Sequence, residues 1–205
     1  MIALCLAWIL TSISAEKAHP LRIAVLAPGD VTDSLLTHVC GEATTIWAPA
    51  GIALECHRIG SAAEAGTWPL AVTIDDHSSN LVPAGTLGWI TFTANRPDRL
   101  IHLSRARAED LLCDSPGLND PTVASHETLI GRALGRGLAH ELGHYLLRTR
   151  AHTSRGLMRP AWTSDDSFAL TRVGLELTPE QREAAFGYLA SKEQAPATDR
   201  GHGVD

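Results

Sequence analysis

Between His140 and Met158 the chain reads HELGHYLLRTRAHTSRGLM, and no other stretch restricts the fold as much. Residues i and i+4 of a helix share one face about one turn apart. His140 and His144 therefore present two imidazoles together, and Glu141 lies beside them with a carboxylate that can reach a metal-bound water without binding the metal. A catalytic zinc takes three protein ligands and keeps one position open. His152, eight residues beyond His144, is the candidate for the third, and Gly156-Leu157-Met158 follows it as a turn. Two histidines on an apolar helix can be ordinary core residues. Glu141, His152 and the turn together separate this pattern from that reading.

A metal helix of this kind needs a scaffold, and the rest of the chain spells one. LRIAVL (21–26) is a short apolar, β-branched run closed by a Pro-Gly turn. A helix opens at Val31-Thr32-Asp33, carries Leu35, Leu36, Val39, Ala43 and Ile46 at helical spacing, and stops before Pro49 and Gly51. Further strands are expected over Ile52–Ile59, Leu70–Ile74, Leu87–Thr93 and Leu100–Leu103, with a turn at Arg96-Pro97-Asp98. Residues 61–66 form a loop or short helix, and Ala106–Leu112 a short helix. The long helix runs from about His126 to Arg148. The chain is then irregular until Thr178, the N-cap of a last helix with Pro179 at its first position. This order predicts an α+β domain: a twisted mixed sheet of about five strands backed by two helices. The domain spans 19–190, with a polar tail over 191–205.

HELGH followed by His152 and Met158 resembles the metzincin clan of zinc metallopeptidases. These combine H-E-x-x-H-x-x-G-x-x-H with a methionine-containing turn beneath the metal. Short secreted bacterial proteins with H-E-x-G-H-x-L-L and a later H-[ST]-x-x-G-[IL]-M are the nearer likeness. The resemblance implies His140, His144 and His152 as zinc ligands, Glu141 as general base, Met158 in the Met-turn, and LGWITF as an antiparallel edge strand beside the cleft. It implies peptide or protein substrates. The specific part is Ala139–Met158, and it departs from the clan pattern in two places. The usual third histidine position is Arg150, and the usual glycine is Leu147. Segment 148–151 must therefore make the bend, with Thr149 or Arg150 in an unfavourable backbone conformation. A downstream glutamate, as in gluzincins, is the rival third ligand, with Glu176, Glu180 and Glu183 available; that arrangement leaves His152 and the turn without a role. A non-catalytic zinc-binding secreted interaction module is the other alternative, and Glu141 argues against it.

Residues 1–14 (MIALCLAWILTSIS) fit a secretory signal cut near Ala15, although no Lys or Arg precedes the apolar run. The run is too short to span a bilayer comfortably, so no stable membrane span is expected after its removal, and the protein is expected to be secreted or periplasmic. Loss of Cys5 leaves Cys40, Cys56 and Cys113, of which Cys40–Cys56 is the favoured pair; buried free thiols are the alternative. The net charge is −6 with scattered arginines, which excludes a nucleic-acid footprint. Trp89 and Trp162 are the aromatic candidates for a substrate pocket.

Overall fold

A computed structural model of the protein describes residues 18–75, 86–115, 117 and 125–194. The expected signal segment and most of the tail lie outside these residues. The strands are β1 (His19–Leu26), β2 (Ile52–Ile59), β3 (Ala71–Asp75), β4 (Gly88–Thr93) and β5 (Arg96–Ser104). They form one sheet in the order β2-β1-β3-β5-β4. Every pairing is parallel except β4 with β5, so β4 is an antiparallel edge strand, as expected for LGWITF. The turn into β5 falls earlier than expected: Ala94 and Asn95 adopt positive φ, and Arg96-Pro97-Asp98 already belong to the strand. Pro97 sits near the strand start, where its missing N–H is tolerated.

Helix α1 (Asp33–Trp47) is capped by the Thr32 side chain, which accepts from Leu35 N–H. Short helices α2 (Ala62–Ala65) and α3 (Arg105–Cys113) precede α4 (His126–Leu147), the long helix. Helix α5 (Ser164–Phe168) interrupts the stretch expected to be irregular, and α6 (Pro179–Gln194) continues past the expected domain end at 190. Thr178 caps α6 reciprocally with Gln181, at 3.2 and 2.9 Å.

One face of the sheet and the two long helices, α1 and α4, enclose the main core, including Ile23, Val25, Val72, Ile74, Ile101, Leu103, Leu134 and Leu138. The other face carries a small cluster of Ala24, Ile59 and Ala71, with Trp68 against it. The two long helices approach closely because α4 is small where they cross. A Cβ on Gly135 would lie 2.6 Å from Val39 O and 2.7 Å from Glu42 Cβ. The indole N–H of Trp47 donates to Ala139 O at 3.1 Å, tying α1 to α4 one residue before His140. A disulfide joins Cys40 of α1 to Cys56 of β2, the favoured pairing, and Cys113 is free and exposed.

Candidate metal centre

The helical pair comes from the last two turns of α4, which ends at Leu147. The bend beyond it is made by Arg148, at φ 56°, and not by Thr149 or Arg150. Arg148 takes the left-handed position that usually follows a helix and is usually glycine. Its N–H caps His144 O, and its guanidinium lies over the Tyr188 ring of α6 at 5.3 Å. That contact helps offset the left-handed conformation. The chain then swings back across the end of the helix and delivers His152.

His140, His144 and His152 converge. One ligand nitrogen from each lies within 4.8 Å of the others, with the three rings 4.9–5.3 Å apart. Among the described residues no carboxylate joins this group. Glu176 instead directs both carboxylate oxygens to Gly174 N–H, at 2.9 and 3.1 Å, and Glu183 on α6 is exposed. The two helical imidazoles are oriented by backbone carbonyls. His140 Nδ1 donates to Leu157 O at 2.9 Å, and His144 Nδ1 donates to Thr149 O at 2.8 Å. Such bonds fix the tautomer and leave Nε2 unprotonated for a metal. Burial pushes the His140 pKa down to about 4, helped by the neighbouring His144 and His152, and burial lowers His144 as well. Both rings are therefore neutral near pH 7, the form that ligates.

The carbonyl partners explain why segment 149–158 matters beyond carrying His152. Thr153 N–H donates to Met158 O at 2.8 Å, and Leu157 N–H donates to Glu176 O at 3.1 Å. Gly156 has φ 80°, and a Cβ there would lie 2.6 Å from Glu176 O, so glycine is required on both counts. This loop holds Leu157 O against His140 and buries Met158 against α4 at Gly143. Met158 thus lies under the helix between the two histidines.

Glu141 points the other way, toward β4. It is buried, and burial raises its pKa to about 8; the N–H of Ile90 is its backbone donor and acts in the opposite sense. Gly88 of β4 makes room for it: a Cβ there would meet Leu103 Cδ2 at 2.8 Å and Glu141 Cγ at 3.3 Å. Among the described residues no lysine or arginine pairs with Glu141. Three imidazoles beside a buried carboxylate that lacks a cation suit a divalent ion of the zinc type.

Of the two tryptophan candidates, Trp162 is at the site, 5.6 Å from His140 and edge-on to it. Trp89 is not: strand alternation turns it away from Glu141, and it stacks on His102 at 4.9 Å. Arg150, at the clan's third-histidine position, is exposed and covers the Phe92 ring at 4.7 Å, with Nη2 donating to Phe92 O at 3.3 Å. Phe92 in turn meets His144 edge-on at 6.3 Å. The carbonyls of Thr149 and Leu157 and the small residues Gly88 and Gly143 were not singled out in the sequence. Gly143 beside His144 and Gly156 beside Leu157 were the available signals.

No family model and no curated protein matches the chain. Among solved structures it is similar to archaemetzincin from Methanopyrus kandleri. The match covers 86% of this chain and 99% of that one, with a TM-score of 0.53 and 13% sequence identity. At that identity the likeness is one of fold.

Proposed function

We propose that this protein is a zinc-dependent peptidase of metzincin type, with His140, His144 and His152 as ligands and Glu141 as general base. The observation that carries the reading is the convergence of the three imidazoles, two of them aimed by backbone carbonyls. The fold shared with an archaemetzincin supports it. A zinc ion bound there would lower the pKa of its water to about 7 and polarise the scissile carbonyl. Glu141 takes the proton of the attacking water and passes it to the leaving amine. Its position between α4 and β4 places that carboxylate beside the strand along which an extended peptide can pair, antiparallel, through the free edge of β4. Met158 packs beneath the helix and keeps the Leu157 carbonyl under His140. Trp162 walls the site beside that ring.

We place the protein outside the reducing cytoplasm, in line with the signal-like 1–14 segment. The Cys40–Cys56 disulfide supports this, and no helix of the described residues is long and apolar enough to cross a membrane.

The test is Glu141→Ala beside His152→Ala. Glu141→Ala is expected to keep one zinc per chain while peptide hydrolysis disappears, and His152→Ala to weaken zinc binding. A freshly zinc-loaded wild type that cleaves no member of a broad peptide library would favour the non-catalytic zinc module. Unchanged zinc affinity in His152→Ala, with loss in Glu183→Gln, would favour the gluzincin arrangement.

A further inference from the structure

We propose that a cavity between α1 and α4, remote from His140, His144 and His152, binds a phosphate dianion, either free or as a phosphomonoester. The inference is independent of the zinc site. Of its two α4 residues, Thr128 and Arg132, the nearer in sequence precedes His140 by eight positions, which is about 12 Å along a helix axis.

The cavity has a volume of about 320 Å³. On α1 its wall is Thr37, Gly41 and Thr45, which share a helix face at spacing four, together with His38 and Glu42. This wall faces solvent: Gly41 is exposed, and a Cβ there would meet nothing within 4 Å. Both threonine hydroxyls donate back to their own helix, to Asp33 O and Gly41 O at 2.8 Å. Recognition of an anion therefore falls to the guanidiniums opposite, Arg132 and Arg172.

The charges at this place do not cancel. Three arginines, Arg132, Arg136 and Arg172, gather around a single carboxylate, Glu42. Both of its oxygens are taken, Oε1 by Arg136 Nε at 2.8 Å and Oε2 by Arg172 at 2.5 Å. Arg136 is fully buried and also donates to the carbonyls of Asp166, Ala169 and Thr171. Arg132 has one carbonyl partner, Phe168 O at 2.6 Å, and no carboxylate among the described residues. Burial and the neighbouring Arg136 and Arg172 lower its pKa, while Glu42 acts in the opposite sense. The surplus is two positive charges, in a chain whose net charge is −6. A dianion cancels that surplus, and forked guanidiniums match phosphate oxygens in pairs. The volume leaves room for an ester substituent beyond the phosphate.

The experiment is calorimetric titration of the full chain with inorganic phosphate and, separately, with phosphoserine, at constant ionic strength. Saturable one-to-one binding is expected. Arg132→Gln should weaken it at least about tenfold, as loss of a charge-assisted hydrogen bond implies. Gly41→Met should do the same with every charge in place, by filling the cavity from a helix position where methionine is a better helix former than glycine. Tighter binding of phosphoserine would identify a monoester as the ligand, and equal binding the free ion; either supports the proposal. Absence of saturable binding would overturn it, as would binding equally tight in wild type and Gly41→Met.

Discussion

Gly143→Ala sets two opposing effects against each other inside α4, and their balance tests whether the Met158 loop bears on the metal helix. Glycine in a helix interior costs about 1 kcal/mol relative to alanine, so the substitution alone should stabilise the protein by that amount. A Cβ at Gly143, however, falls on Met158 Sδ and lies 3.0 Å from its Cε. Carbon atoms rest at about 3.5–4.0 Å, so the thioether must move. Its end is flexible, but Met158 is 1% exposed with Leu142 and Leu157 buried around it, and overpacking such a site costs roughly 1–3 kcal/mol. The expected net is therefore a loss of about 1 kcal/mol, or roughly 2–4 °C in Tm for a domain of this size.

The diagnostic result is a reversal of sign. In a Met158→Ala background the thioether is gone, and Gly143→Ala should there raise stability by about 1 kcal/mol, the helix-propensity gain alone. Thermal or urea unfolding of the four proteins of this cycle reads both numbers. Zinc affinity gives a second readout, because displacing Met158 moves its neighbour Leu157, whose carbonyl orients His140. Loss of such an orienting bond weakens metal binding about tenfold or more. If Gly143→Ala stabilises both backgrounds equally and leaves zinc affinity unchanged, Met158 does not press on the helix and the loop does not support the site.

Three further outcomes are expected. Arg148→Gly should be about 1 kcal/mol more stable than Arg148→Ala, since both lose the Tyr188 contact and only glycine relieves the left-handed backbone; equal Tm values would remove the strain from the account. Arg150→Ala should weaken zinc binding about threefold, the worth of one exposed cation–π contact, by loosening the segment that ends in His152; an unchanged competition titration against a chelator would show that Arg150 holds nothing. In the metal-free protein, the folded pKa of Glu141 is about 8, above its ordinary value, while that of His140 is about 4, below its own. The folded state therefore holds the Glu141 proton longer than the unfolded one, and its stabilising effect is lost as pH rises toward 8. The His140 contribution has the opposite sign and is complete by about pH 6.5. Between about pH 6.5 and 8 stability should fall by roughly 2 kcal/mol in wild type and stay level in Glu141→Gln; parallel curves would contradict the buried placement of Glu141.

The parts of this protein that could be read from its sequence are those where one local pattern decides the outcome. The i, i+4 histidines, the Thr178-Pro179 start of α6 and the β-branched runs each state their conformation without reference to anything distant, and they lie where expected. The bend after α4 was legible as a necessity but not as a residue. Arginine at a left-handed position is unfavourable alone and is held here by Tyr188, which lies forty residues away. Helix α5 is five residues long and offers no periodicity; its T-x-x-D capping box at Thr163 and Asp166 was the only local cue. The Glu42–Arg136 pair shows the limit most clearly. Each charge sits beside buried apolar residues of its own helix face, Val39, Ala43 and Ile46 on α1 and Ala133 and Ala139 on α4. A single charge so placed reads as an exposed flank, and two of opposite sign on separate helices signal a buried bond only once the helices are known to cross there. Glycines at 131 and 135 were the sequence's record of that crossing. Four glycines, at 131, 135, 137 and 143, each weaken α4 as an isolated helix by about 1 kcal/mol, and each adjoins a partner that a Cβ would strike or crowd. A metal helix built this way depends on α1, on Leu87 ahead of β4 and on the Met158 loop for its stability, so the same contacts that hold it also fix where His140 and His144 point.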